Sequence, residues 1–224
     1  MLAQEEARSP IEAIEFYQRG IAAGELALGP AAFVEDVGHF WGILETRPYM
    51  RARHGLAMGL WEMGQRDEAV EHYQEMLRLN PNDNQGIRYM LLNALLELGR
   101  EAETAALLER YDDGAATWLW GKLLFAFRRD GDGPATRQFL ADALAQNPHV
   151  VDYLIGGKRL PARRPDYITW GGEDEAQECA RDAAPAWRAT PGALVWLAEA
   201  TMERARPPRR KRSGSRAKAD GCAR

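Results

Sequence analysis

Between residues 50 and 79 the apolar positions fall into two stripes separated by a glycine. Leu56, Ala57, Leu60 and Trp61 share one helical face, Gly64 interrupts, and Ala69, Val70, Tyr73, Met76 and Leu77 share the next. Gly64 suits the left-handed position that closes a helix, and Asp67 and Glu68 suit the positive end of the following one. The residue before a proline is biased away from helical geometry, so Asn80-Pro81 ends the second helix near Leu79. Asn82 or Asp83 can then accept the free amide hydrogens of a third helix. The unit is two short antiparallel helices joined by a tight turn.

The unit recurs. Gly99 follows Gly64 by 35 residues, Gly131 follows Gly99 by 32, and Pro148 follows Pro81 by 67. A helix pair with a period of about 34 residues cannot bury both faces alone, so successive pairs stack into a solenoid. Ahead of the core, Ser9-Pro10 open a helix that runs to about Ala23, and Gly29-Pro30 break the chain. Residues 31–45 then form a short helix and an aromatic junction. Behind the core, the 17 residues "GGKRLPARRPDYITWGG" (156–172) form a long loop, and two helices, about 173–188 and 191–204, cap the stack. The expected fold is all-α, a solenoid of about ten helices. One helical repeat domain spans 1–206, with its repeat core at 50–150, N-terminal helices at 10–45 and capping helices at 173–204. A basic tail at 207–224 has no apolar content and is expected to be disordered.

The chain resembles the tetratricopeptide repeat family. In its first repeat Leu56, Ala57, Leu60, Gly64, Ala69, Tyr73, Met76 and Pro81 stand at the family's signature positions. In its third, Trp120, Leu123, Leu124, Phe127, Gly131, Thr136, Leu140, Ala143 and Pro148 do so. The middle repeat keeps Met90, Leu91 and Ala94, its glycine slips by one position, and no proline ends it. More loosely, "ETRPYMRAR" and "LRLNPNDNQGIRY" are similar to stretches of bacterial repeat proteins grouped with the suppressor-of-tumorigenicity family. That second resemblance implies no activity. The first implies a concave groove, lined by the first helix of each pair, that binds extended peptides. The matching positions are Arg51, His54, Met58, Trp61 and Glu62, then Gln85, Arg88, Leu92, Leu95 and Leu96, then Trp118, Gly121, Phe125, Arg128 and Arg129. A family subclass clamps the C-terminal carboxylate of chaperones. The clamp positions here hold His54, Met58, Tyr89, Trp118 and Lys122, and only Lys122 keeps the charge, which disfavours that role.

Charge sharpens the expected partner. The net charge of −4 is a sum of opposites: residues 204–224 hold nine Lys/Arg and one acid, and the other 203 residues hold 20 basic against 32 acidic side chains. A tail of +8 therefore hangs from a body of −12. The inferred groove lining runs against the body, with four arginines to one glutamate. An acidic segment with apolar anchors is the expected ligand, steered by Arg51, Arg88, Arg128 and Arg129 and gripped by Trp61, Trp118 and Phe125. The competing reading packs Leu92, Leu95 and Leu96 against the terminal helices and fills the groove, since large exposed apolar patches are unusual. A different class, a nucleic-acid-associated protein, would act through the polybasic tail, although the tail has no aromatic side chain for stacking and the acidic body repels phosphate.

Chemistry is otherwise sparse. Serine occurs only at positions 9, 213 and 215. The two cysteines, Cys179 and Cys222, form no disulfide framework and point to a reducing, cytoplasmic setting. Cys179 reads as a small core residue. The histidines at 39, 54, 72 and 149 lack metal spacing, and His72 reads as a surface residue. The acid pairs Glu35-Asp36 and Asp112-Asp113 read as solvated. "DGDG" (130–133) lacks the oxygen ligands of a calcium loop and reads as a turn. "IGGKRL" lacks the glycine and hydroxyl of a phosphate loop. No enzyme, metal or cofactor is expected. The N-terminus has acids where a leader needs bases, and no apolar run approaches the ~20 residues of a membrane helix.

Overall fold

The computed structural model describes residues 7 and 9–205. The basic tail, and every expectation placed on it, lies outside the described residues. All regular structure within them is helical. The helices are α1 (Pro10–Glu35), α2 (Arg47–Glu62), α3 (Arg66–Leu79), α4 (Ile87–Leu98), α5 (Glu101–Arg110), α6 (Ala116–Asp130), α7 (Pro134–Gln146), α8 (Val150–Leu154), α9 (Glu173–Ala189) and α10 (Ala193–Ala205). The pairs α2–α3, α4–α5 and α6–α7 stack in chain order as a tetratricopeptide-like solenoid. Their turns place Gly64, Gly99 and Gly131 at φ of 82°, 68° and 63°, a region that a side chain strongly disfavours.

Local chemistry sets the ends. The Ser9 hydroxyl accepts the Glu12 amide at 3.2 Å, and Pro10 opens α1. α1 runs beyond the Ala23 expected from its apolar pattern, because Glu25-Leu26-Ala27-Leu28 are good helix formers. It breaks only at Gly29, whose φ of 71° and ψ of 163° are not helical, and Pro30 restarts it. Of the two candidate caps after Pro81, Asp83 is the one used. Its Oδ1 accepts the Ile87 amide at 2.7 Å and its Oδ2 the Arg88 amide at 2.9 Å. Asp83 itself has φ of 47°, tolerable for an aspartate that bonds its own backbone locally.

The pairs approach closely. A Cβ on Gly55 would sit 2.3 Å from the Tyr17 ring, so the α1–α2 seam leaves no room for a side chain at that position. Ala69, facing α2 from α3, has no exposed surface. One apolar core runs the length of the stack, with Tyr49, Met50, Trp118, Trp120 and Trp187 fully buried. His72 departs from the expectation of a surface side chain. It is half-buried, its Nδ1 is buried without a protein partner, and burial with the nearby Arg53 charge lowers its pKa to about 4. We predict that Ala69→Leu destabilises the fold by about 1–3 kcal/mol through overpacking. Chemical denaturation measures this, and an unchanged midpoint would refute the close-approach role.

Candidate binding face

The first helices of the three pairs, α2, α4 and α6, carry the expected lining, but α9 lies across most of it. The last pair of polar contacts orients α9. Near its start, Glu175 accepts the amide of Ala116, the first residue of α6, at 3.2 Å. At its other end, Arg128 near the close of α6 donates to Ala186 O in the last turn at 3.2 Å and to Thr190 Oγ1, just past the helix, at 2.8 Å. α9 therefore runs parallel to α6, packed on α4 and α6. Its buried face is built from Ala176, Cys179, Ala180, Ala183 and Ala184, with Trp187 beside Trp120 at 6.2 Å between ring centroids. Small side chains let the two backbones come close.

This corrects several lining positions. Leu92, Leu95, Leu96 and Trp118 are each at most 1% exposed. Leu92, Leu95 and Leu96 pack under the C-terminal helices and Trp118 in the core, so the filled-groove reading holds for the second and third repeats. Gly121 is buried against Leu92 and Leu96 and sets the α4–α6 spacing. Phe125 is half-buried on the core, with the Arg129 guanidinium 5.8 Å from its centroid.

The positive lining is also spoken for. Arg88 pairs with Asp113 at 2.5 Å and Asp83 at 3.1 Å, and lies over the rings of Tyr89 and Tyr111. Burial pushes the Asp113 carboxyl up, but the Ala115 amide, the Tyr89 hydroxyl and Arg88 outweigh it and hold it below the usual carboxylate range. Asp113 is thus a structural partner, not the solvated acid expected from its adjacency to Asp112. Arg128 uses its fork on Leu96 O at 2.6 Å and the end of α9, with Glu101 at 3.5 Å. Arg129 pairs with Asp130 at 2.7 Å. The charge count that favoured an acidic ligand along the whole groove no longer stands.

What stays open is the strip on α2. Arg51 is exposed. His54 is half-buried, its Nε2 3.2 Å from the Met90 sulfur, and burial lowers its pKa. Met58 and Trp61 are half-buried, with the Arg66 guanidinium 5.0 Å from the Trp61 ring. Arg47, not singled out in the sequence, belongs here too. It and Arg51 stand 5.3 and 5.8 Å from the ring of Trp41, and Arg47 Nε also donates to Trp41 O at 2.9 Å. No described carboxylate pairs with either. The signal was present: positions 47, 51, 54 and 58 are spaced four, three and four residues apart, one helical face.

Among the described residues, no cluster of three or more His, Cys, Asp or Glu side chains is arranged to hold a metal. Cys179 is free, and burial pushes its thiol up, away from the nucleophilic thiolate. No described helix is long and apolar enough to cross a membrane.

The stacked helix pairs and their turns form a tetratricopeptide-like solenoid, and residues 60–117 match the tetratricopeptide repeat family model. The chain is similar over most of its length to suppressor of tumorigenicity 7 protein. It is 28% identical to that protein of Macaca fascicularis over 222 residues, covering 88% of this chain and 41% of the relative. The same identity and coverage of this chain hold for the proteins of Rattus norvegicus and Bos taurus, of which 38% and 37% are covered. The chain thus spans about two fifths of the length of the curated relatives it matches. No solved structure matches it.

The contrast between Arg88 and Arg51 is testable. Arg88→Ala leaves the buried Asp83 and the half-buried Asp113 without their cation, and we expect a loss of about 2–4 kcal/mol. Arg51→Ala should stay within about 0.5 kcal/mol of wild type. Equal stability of the two variants in urea would show that Arg88 is not a structural node.

Proposed function

We propose that this chain is a non-catalytic protein-interaction module of the cytoplasm whose partner docks on the α2 strip formed by Trp41, Arg47, Arg51, His54, Met58 and Trp61. Tetratricopeptide repeats generally mediate protein–protein contacts, and this strip is the part of the inferred lining that α9 leaves open. The observation that carries the reading is the pair of arginines bracketing Trp41. In a body of −12, most other arginines of the lining are matched by acids, and these two are not. Unmatched guanidinium groups beside an indole favour a carboxylate-bearing segment with apolar anchors. The partner is thus the acidic segment expected from the sequence, on a smaller site.

Exposed charge pairs contribute about 0.2–1 kcal/mol each, so the arginines steer and orient while Trp41, Met58 and Trp61 supply contact area. Partners captured with the full chain would be titrated against variants at two ionic strengths. Arg47→Glu with Arg51→Glu should weaken binding about 3- to 30-fold and flatten its salt dependence. Trp61→Ala should weaken it with the salt dependence kept. A partner that binds both variants like wild type and is lost on removing residues 205–224 would place the contact on the tail instead.

A further inference from the structure

The lining of the second and third repeats is a helix-binding groove that already contains a helix. We propose that α9 is an exchangeable occupant of this groove, and that a partner helix of α9's own chemistry takes its place. This site is distinct from the α2 strip. The replacement would have an acidic first turn, one face of alanine-sized side chains and a closing tryptophan.

Four features of the seat support exchange. First, the two sides of the interface are unequal. The groove contributes large side chains, Leu92, Leu95, Leu96, Trp120 and Leu124, all nearly unexposed, whereas α9 contributes mostly alanines and one large anchor, Trp187. Apolar stabilisation scales with buried area, so the groove demands a helix but is not strongly committed to this one. Its exposure without a replacement is costly, which makes exchange rather than simple opening the accessible route.

Second, the end contacts are largely ones that any helix of this length can make. Arg128 grips a main-chain carbonyl, Ala186 O, at the C-terminal end, where a cation also suits the helix dipole. At the other end only a carboxylate is required, at the position of Glu175. Third, Pro185 lies inside α9 and removes one backbone hydrogen bond near its anchor.

Fourth, α9 is joined to the body by segments that allow movement. Residues 156–172 form no helix, and apart from the Gly171 amide on Glu175, the Thr169 amide on Asp174 and Pro161 O on Arg181 they hold α9 through side-chain ion pairs. Arg164 binds Glu178 and, at 3.0 Å, Asp182, and Lys158 binds Glu173 at 2.7 Å. Such pairs are individually weak. Seventeen residues can extend to about 55 Å, several times the ~10 Å diameter of a helix. On the far side, Gly192 at φ of 76° ends the link to α10.

The native Cys179 provides a lock. Thr117 on α6 stands beside the buried Cys179, so Thr117→Cys brings a second thiol to this seam, and oxidation ties α9 to α6. Two measurements on the full chain follow. In native-state hydrogen exchange, the amides of α9 should exchange at least about tenfold faster than those of α6, and oxidation of the Thr117→Cys protein should bring them to the α6 rate. A labelled peptide of residues 173–189 carrying Cys179→Ala should bind the reduced Thr117→Cys protein and lose at least about tenfold in affinity on oxidation. Three results would overturn the proposal: α9 protected as strongly as α6, no binding to the reduced protein, or binding that oxidation leaves unchanged.

Discussion

The seat of α9 rests on one buried carboxylate. Glu175 is 7% exposed and has no cation beside it. Instead it collects donors from three directions: the Ala116 amide at 3.2 Å, Gln146 Nε2 at 2.9 Å, Asn147 Nδ2 at 3.1 Å and the Gly171 amide at 2.8 Å. These belong to the start of α6, the end of α7 and the close of the long loop. A buried charge is tolerated only when fully hydrogen-bonded, so each of these elements must reach its position for the others to be stable. Where the third repeat would otherwise end in open solvent, Asn147 turns back to Gly172 O and Glu175, and the chain re-enters the concave side.

The surface follows from that constraint. Once α9 lies parallel to α6, the leucines of α4 become core and Arg128 becomes a helix cap. The fold then has an inner face that is occupied along two repeats and open along one. The open part is where the arginines lack acid partners. The two sections serve the two proposals separately, an acidic peptide on the open strip of α2 and a helix in the filled groove.

The repeats were legible because their signals are local. Gly64, Gly99 and Gly131 mark turns through their own φ, and Pro81 stops α3 through its own ring. The α1 boundary was misplaced because its apolar pattern fades after Ala23 while helix-forming residues continue to Leu28. The site was less legible, since its errors are long-range. Nothing near Arg88 in sequence announces Asp113, 25 residues on, and nothing in "EDEAQECARDAAPAW" shows that its alanines face α4 and α6. Family position put Leu92 and Trp118 on a surface, and tertiary packing took them off it. Arg47 could have been found from its helical spacing to Arg51, but its value depends on Trp41, which only the folded junction brings alongside.

The account stands on Glu175 holding α9 in the groove, and equilibrium unfolding of Glu175→Ala in urea tests it most directly. Removing the carboxylate strands several buried donors, so the midpoint should fall by the equivalent of about 3–5 kcal/mol. The slope should fall too if α9 leaves the groove before the rest unfolds, because less surface then remains to be exposed. A variant whose curve overlays that of wild type in both midpoint and slope would contradict the account.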